Sequence, residues 1–406
     1  MKKIVFISLY QGVFDESVGF MKKDTEKVDH LNNFTDVECQ MITFMPGLKE
    51  DKWLTSNHLL KRASIKTEYK FFRSMRIDRN IFKSINSYLD DQTFDVILMR
   101  YEIASLPLFR FTKKYRNRIY FEHNTKELEE FRLRVNERRQ SLRFSLKPGY
   151  LLYYLESKFI PLTLEKILGG KIRNNVKSGF SVTNEILEYQ QSVAKFYKVK
   201  TVSNGINFEA DKLQKHAVYD AKVLKLFMLV GAKARWHGVD RLIRGLGQYQ
   251  GECNITIDLI GNVLEEDVKM VEALGLQDRV NFIPSIPSNE LTESLEKYHM
   301  SIGTLGLHRK GLNEACTLKV RESLSRGFPI ILGYVDTDLI ETGDLLKYTM
   351  KVPSDETPVD FTQVTQFASE VFSDTEVHKT VYTLAKNRIS NELKVQEIYE
   401  FILYDS

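Results

Sequence analysis

The chain has 406 residues, of which 43% are hydrophobic and 28% charged. That length exceeds a single compact core and suits two α/β domains. No apolar run approaches the ~20 residues that span a bilayer, and a net charge of +4 is too small to imply nucleic-acid binding. Cys39, Cys253 and Cys316 are far apart and odd in number. They suit a reducing cytoplasm and argue against a disulfide scaffold or a cysteine-rich metal site.

The first element is the apolar run Lys2–Leu9, which ends by Tyr10 with no small-residue cleavage site. A buried first strand fits it better than a signal peptide. A loop with Gly12 and Gly19 follows, giving strand, loop and helix, the opening unit of a doubly wound sheet. Later strands are predicted at 37–44, 94–100, 118–121, 180–182 and 198–202. The polar stretch 207–220 reads as a linker. A second α/β series then runs from 224 to 332, with strands at 224–230, 255–260, 280–283, 300–304 and 329–332. Helices are predicted between them at 239–249, 265–274, 290–298 and 318–326, and the last twenty residues read as one helix. Strands alternating with helices imply parallel sheets covered on both faces.

Charge is unevenly spread. Residues 61–80 carry seven Lys or Arg against two acids, and residues 131–150 carry six against one. Apolar residues accompany both stretches, Ile65, Tyr69 and Phe72 in one and Phe131, Val135, Leu142 and Leu146 in the other. This suits either helices lying on an anionic membrane surface or solvated amphipathic helices packed on the domain.

The segment richest in chemistry runs from Gly311 to Pro329 and holds Glu314, Lys319 and Glu322. The helix N-terminus around Cys316–Leu318 would offer free backbone N–H groups to a phosphate. The carboxylates accept hydrogen bonds from sugar or ribose hydroxyls, and Lys319 adds a cation on the first turns. The spacing of the two glutamates is by itself common on ordinary helices.

Residues 301–338 resemble the donor-binding segment of GT-B glycosyltransferases, of the large retaining group known as family 4. Val202-Ser-Asn204-Gly205-Ile206, Leu229-Val-Gly231 with Trp236-His237-Gly238-Val239-Asp240-Arg241-Leu242-Ile243, Leu259-Ile-Gly261 and Arg279-Val-Asn-Phe-Ile fall in the family's order. The similarity covers most of residues 200–340 and more faintly the first half.

The resemblance implies two Rossmann-like domains facing across a cleft. The acceptor-binding domain would span 1–204, the nucleotide-sugar domain 205–385, and residues 386–406 a helix returning toward the first domain. It implies a metal-independent, retaining transfer of a hexosyl unit from a nucleotide-diphosphate sugar, UDP rather than GDP, with no cofactor. The acceptor would be a glycan or lipid-linked saccharide, in bacterial surface polysaccharide or glycoconjugate assembly, on the cytoplasmic side of the membrane.

The same resemblance gives roles to residues. Glu314 would contact the transferred sugar and Glu322 the ribose, while the amides of Thr317 and Leu318 cradle the diphosphate. Gly19 and Gly231 would let backbone approach the donor, and His123 would lie near its sugar. One departure stands out. The family usually has Arg after the glycine matching Gly231 and Lys before the second glycine, where this chain has Ala232 and His237. Arg235 and Lys319 are then expected to compensate the leaving diphosphate, with His237 positioning it. A sugar-nucleotide epimerase on the same fold and an inactive binding module are the alternatives. A dehydrogenase is disfavoured because the first loop lacks Gly-x-Gly-x-x-Gly.

Overall fold

The computed structural model describes residues 1–9, 19–46, 48, 50–63, 73–133, 148–213, 216–231, 233–287, 290–339 and 343–404, with side chains left out at 20, 46, 63, 73–78, 148–158 and 211. It divides into two compact units. The first comprises Met1–Val202 and Val395–Ser406, and the second Ser203–Lys394.

The first unit runs β1 (Lys2–Leu9), α1 (Gly19–Leu31), β2 (Val37–Pro46), β3 (Lys52–Thr55), β4 (His58–Ala63), α2 (Arg73–Asp90), β5 (Val96–Arg100), α3 (Leu106–Lys114), β6 (Ile119–His123), α4 (Pro148–Asn175), β7 (Ser178–Ser181), α5 (Asn184–Val193) and β8 (Val199–Thr201). Its described strands form one sheet in the order β3-β4-β2-β1-β5-β6-β7-β8, parallel except for β3 against β4. The antiparallel pair at 52–63 goes beyond the expected strands.

Alternation along β1 explains the layering. Val5 and Ile7 enter one hydrophobic cluster with Phe44, Ile85 and Phe111, while Ile4 and Phe6 enter another with Met21, Val28 and Leu31. A strand buried on both faces is the pattern of a parallel sheet sandwiched by helices. Side chains fix where helices start. Ser105 caps α3 by accepting from the Leu108 amide at 3.3 Å, and Thr183 caps α5 by accepting from the Ile186 amide at 3.2 Å.

The second unit runs β9 (Val223–Val230), α6 (Val239–Gln248), β10 (Asn254–Gly261), α7 (Glu265–Ala273), β11 (Val280–Ile283), α8 (Leu291–Leu295), β12 (Met300–Ile302), β13 (Glu314–Ala315), α9 (Leu318–Leu324), β14 (Ile330–Leu332), β15 (Val335–Asp336), α10 (Gly343–Leu346), β16 (Thr349–Lys351), α11 (Phe361–Val371) and α12 (Val377–Ile389). The main sheet is parallel, in the order β11-β10-β9-β12-β14-β16, and β13 pairs with β15 alone. The last helix, α13 (Asn391–Leu403), starts in this unit, and its residues from Val395 belong to the first. There Val395, Ile398, Phe401 and Ile402 join the cluster around Ile4 and Phe6.

Among the described residues no helix is long and apolar enough to cross a membrane. The loop with Gly12, and most of the basic stretches 61–80 and 131–150, lie outside the described residues or their described side chains.

Candidate donor site in the second unit

Strand order locates the site. From β9 the sheet grows one way through β10 and β11 and the other way through β12, β14 and β16. The switch point lies between β9 and β12, and ligands of open α/β sheets bind beyond the strand ends there. Gly231 directly follows β9, and Gly303 to Leu305 follow β12.

The two loops are stitched together. The Leu305 amide donates to the His237 carbonyl at 2.9 Å and the Gly306 amide to the Trp236 carbonyl at 3.1 Å. Gly238, at φ 73°, starts α6, and a Cβ there would meet the Gly306 nitrogen at 2.7 Å. Only glycine combines that left-handed turn with so close an approach. His237 is thereby buried at the loop contact.

Lys319 is the central cation. Its Nζ lies 2.8 Å from where a Cβ on Gly231 would sit, so the glycine makes room for the ammonium. That Nζ is buried and has no hydrogen-bond partner among the described residues. Burial pulls the lysine down to about 8, because removing an unpaired charge from water disfavours the charged form.

Lys319 stands on the first turn of α9. Thr317 is the N-cap, and its carbonyl accepts from the amides of Val320 and Arg321 at 3.1 and 3.2 Å. The amides of Leu318 and Lys319 have no intrahelical acceptor. The Thr317 hydroxyl is 3.2 Å from that of buried Tyr334.

The chain entering α9 is held from below. Asn204 Nδ2 donates to the Cys316 carbonyl at 2.8 Å, and Arg321 Nε donates to the Asn204 carbonyl at 2.9 Å. Arg321, wholly buried, also pairs with Asp336 at 2.8 Å and Asp338 at 2.5 Å. The Asn204-Gly205-Ile206 motif is therefore a brace for the segment that carries the cation.

Glu314 lies buried on β13, opposite Val335. Glu322 is half-buried on α9, and Arg326 Nη1 donates to its Oε2 at 2.5 Å. The structure thus gathers Gly231, His237, Glu314, Thr317, Leu318, Lys319 and Glu322 in one unit.

Two expected residues sit differently. The Arg235 side chain is 72% exposed and pairs with Glu266 of α7 at 2.9 Å. The loop's short 3-10 turn aims it outward, so the expected sharing of charge with Lys319 is not formed in this structure. Arg309, in the same region, is spent on Asp240 and Glu356.

His123 and Gly19 belong to the first unit. Gly19 is the first residue of α1. His123 is wholly buried, with Nδ1 2.6 Å from Glu127 Oε1 and Nε2 3.1 Å from the Tyr197 hydroxyl. Burial lowers its proton affinity against the opposing pull of Glu127. Both ring nitrogens are engaged inside the protein.

Sequence reasoning missed Arg326, although its four-residue spacing from Glu322 is a standard helical pairing signal. It also missed the core around His123, since Arg173 and Tyr197 reach it from distant segments. Among the described residues no group of three or more His, Cys, Asp or Glu is placed to hold a metal.

No protein-family model matches the chain, and no curated protein matches it significantly. Solved structures do match along the whole length. Sucrose-phosphate synthase from Thermosynechococcus elongatus superposes with a TM-score of 0.67 at 13% identity, covering 100% of both chains. The lipopolysaccharide outer core galactosyltransferase WaaB, in its apo form, gives 0.63 at 14% identity, again over 100% of both. Anabaena Alr3699/HepE, solved in complex with UDP, gives 0.61 at 12% identity, over 99% of each. With its two parallel-sheet α/β units, the chain has the GT-B fold of these glycosyltransferases.

Proposed function

We propose that the chain is a glycosyltransferase that moves a hexosyl unit from a nucleotide-diphosphate sugar, UDP-linked rather than GDP-linked, to a glycan or lipid-linked saccharide. The observation that carries this reading is the buried Lys319 ammonium against Gly231, which has no hydrogen-bond partner among the described residues. A buried cation without a counter-ion is costly unless a ligand supplies the anion. A diphosphate does so, and it is the group that gains charge as the glycosidic bond to it breaks.

In this reading Thr317 and Leu318 present backbone to the phosphates, Gly231 lets Lys319 approach, and His237 holds the facing loop. Glu322 accepts from the ribose hydroxyls and Glu314 from those of the transferred sugar. No metal is called for, because lysine and helix amides compensate the leaving group. Retention follows if the acceptor attacks the face the diphosphate leaves, with a phosphate oxygen taking its proton. Bacterial surface-glycan assembly on the cytoplasmic side of the membrane is the setting proposed.

The two glutamates give a test. Glu322→Ala should weaken nucleotide binding by ~1–3 kcal/mol, the worth of hydrogen bonds to a charged group. Glu314→Ala should instead lower turnover with the intact sugar nucleotide and spare binding of bare UDP. Calorimetry that finds equal UDP affinity in wild type and Glu322→Ala would remove the ribose role.

A further inference from the structure

We infer that Arg326 is a positioning residue that dedicates one oxygen of Glu322 to the ligand's ribose. The inference rests on the nucleotide-sugar reading above.

Arg326 lies in the turn after α9 and is 1% exposed. Its Nη1 donates twice to the same residue, to the Glu322 carbonyl at 2.8 Å and to Glu322 Oε2 at 2.5 Å. Its Nε donates to Thr292 Oγ1 at 3.2 Å. The guanidinium is planar and rigid, so fixing Nε and Nη1 fixes the direction from which it grips the carboxylate. With Oε2 taken, Oε1 is the oxygen left to accept from a ribose hydroxyl. The pair is neutral, so the half-buried carboxylate adds no net repulsion to a diphosphate bound at Lys319.

The backbone at this point is held as firmly as the side chain. His216 Nε2 lies 2.8 Å from the Arg326 carbonyl and His378 Nδ1 lies 3.0 Å from the Gly327 carbonyl. A carbonyl only accepts, so each of these nitrogens carries the proton. The other nitrogens, His216 Nδ1 and His378 Nε2, are buried without a partner among the described residues, so both rings are neutral. The two rings lie 3.8 Å apart, centroid to centroid, and pack on Phe328. Gly327 has φ 81°, and a Cβ on it would meet the His378 carbonyl at 2.2 Å, so the turn tolerates only glycine. Two imidazoles and a glycine thus lock the backbone from which Arg326 reaches Glu322. An ordinary surface ion pair needs no such clamp.

The test compares binding of UDP, GDP and ADP with binding of their 2′,3′-dideoxy counterparts by calorimetry. Wild type should prefer the ribose form of the diphosphate it binds best by about tenfold or more, the worth of a hydrogen bond to a charged group. In Arg326→Met both affinities should fall, because the unpaired carboxylate repels the diphosphate, but the ribose form should fall further, so that the preference drops to within about twofold as a free carboxylate no longer holds its orientation. Thr292→Val removes only the Nε anchor and should reduce the preference partway, which keeps the test decisive if Arg326→Met does not fold. Equal loss of ribose and dideoxy binding, or an unchanged preference in both variants, overturns the assignment. A wild type that binds none of the three nucleotides sinks the nucleotide-sugar reading together with this one. A discriminating wild type with unchanged variants sinks this one alone.

Discussion

Lys319 is where a single residue's environment and the proposed chemistry meet. Its proton affinity is lowered by burial to about 8 from the ordinary 10.5. Below that pH the ammonium is charged and ready for a diphosphate, and above it the charge is lost. UDP affinity should therefore fall as pH rises through about 8, with proton uptake on binding near that pH. Lys319→Met should flatten this profile and lower turnover by about 10²–10³, the typical cost of one electrostatic donor. The sign for stability is opposite. The folded lysine binds protons less readily than the unfolded one between about 8 and 10.5, so stability rises with pH across that window. Lys319→Met should accordingly raise the melting temperature of the unliganded protein at neutral pH. A melting temperature that drops, with a pH-independent UDP affinity in wild type, would show that the lysine is paired rather than waiting for an anion.

At the scale of elements, the buried polar core of the first unit shows what positions α4 against the sheet. Arg173 is wholly buried on α4. It bonds Glu165 at 2.8 Å, Gln190 at 2.6 Å and the Tyr101 hydroxyl at 3.2 Å, with Glu127 at 3.3 Å. His123 on β6 joins through Glu127. Arg173→Met leaves two buried carboxylates without their cation and should destabilise the protein by ~3–5 kcal/mol, read by chemical denaturation. A loss under ~1 kcal/mol would mean that the cluster is hydrated rather than buried.

The alternation of strands and helices was legible in the chain because both-face burial writes itself as short apolar runs. The loop motif around Gly238 was legible because its left-handed backbone and its approach to Gly306 demand glycine. The fate of His123 was not, since Glu127 is four residues away but Arg173 and Tyr197 lie far along the chain. The pairing of Arg235 was not legible either, for a related reason. Its nearness in sequence to His237 says nothing of which way a short turn aims its side chain, and Glu266 captures it.

For the whole molecule, the unevenly charged first half bears on where it works. We propose that the basic stretches 61–80 and 131–150 dock the protein on anionic lipid. Each charge near such a surface contributes roughly 1 kcal/mol. Neutralising Arg132, Arg138 and Arg139 together should reduce binding to phosphatidylserine vesicles at moderate salt. Binding indifferent to both salt and these charges would remove the membrane role.

The central claim is that the second unit holds a nucleotide-diphosphate sugar for transfer. The most direct measurement incubates the full chain with radiolabelled UDP-hexoses and a bacterial glycolipid extract, and separates the products. Label should move into a saccharide or glycolipid product with release of UDP, and Lys319→Met and Glu314→Ala should suppress that movement. Label that stays on the nucleotide, whether as an epimer or as bound but unconverted donor, would contradict the account.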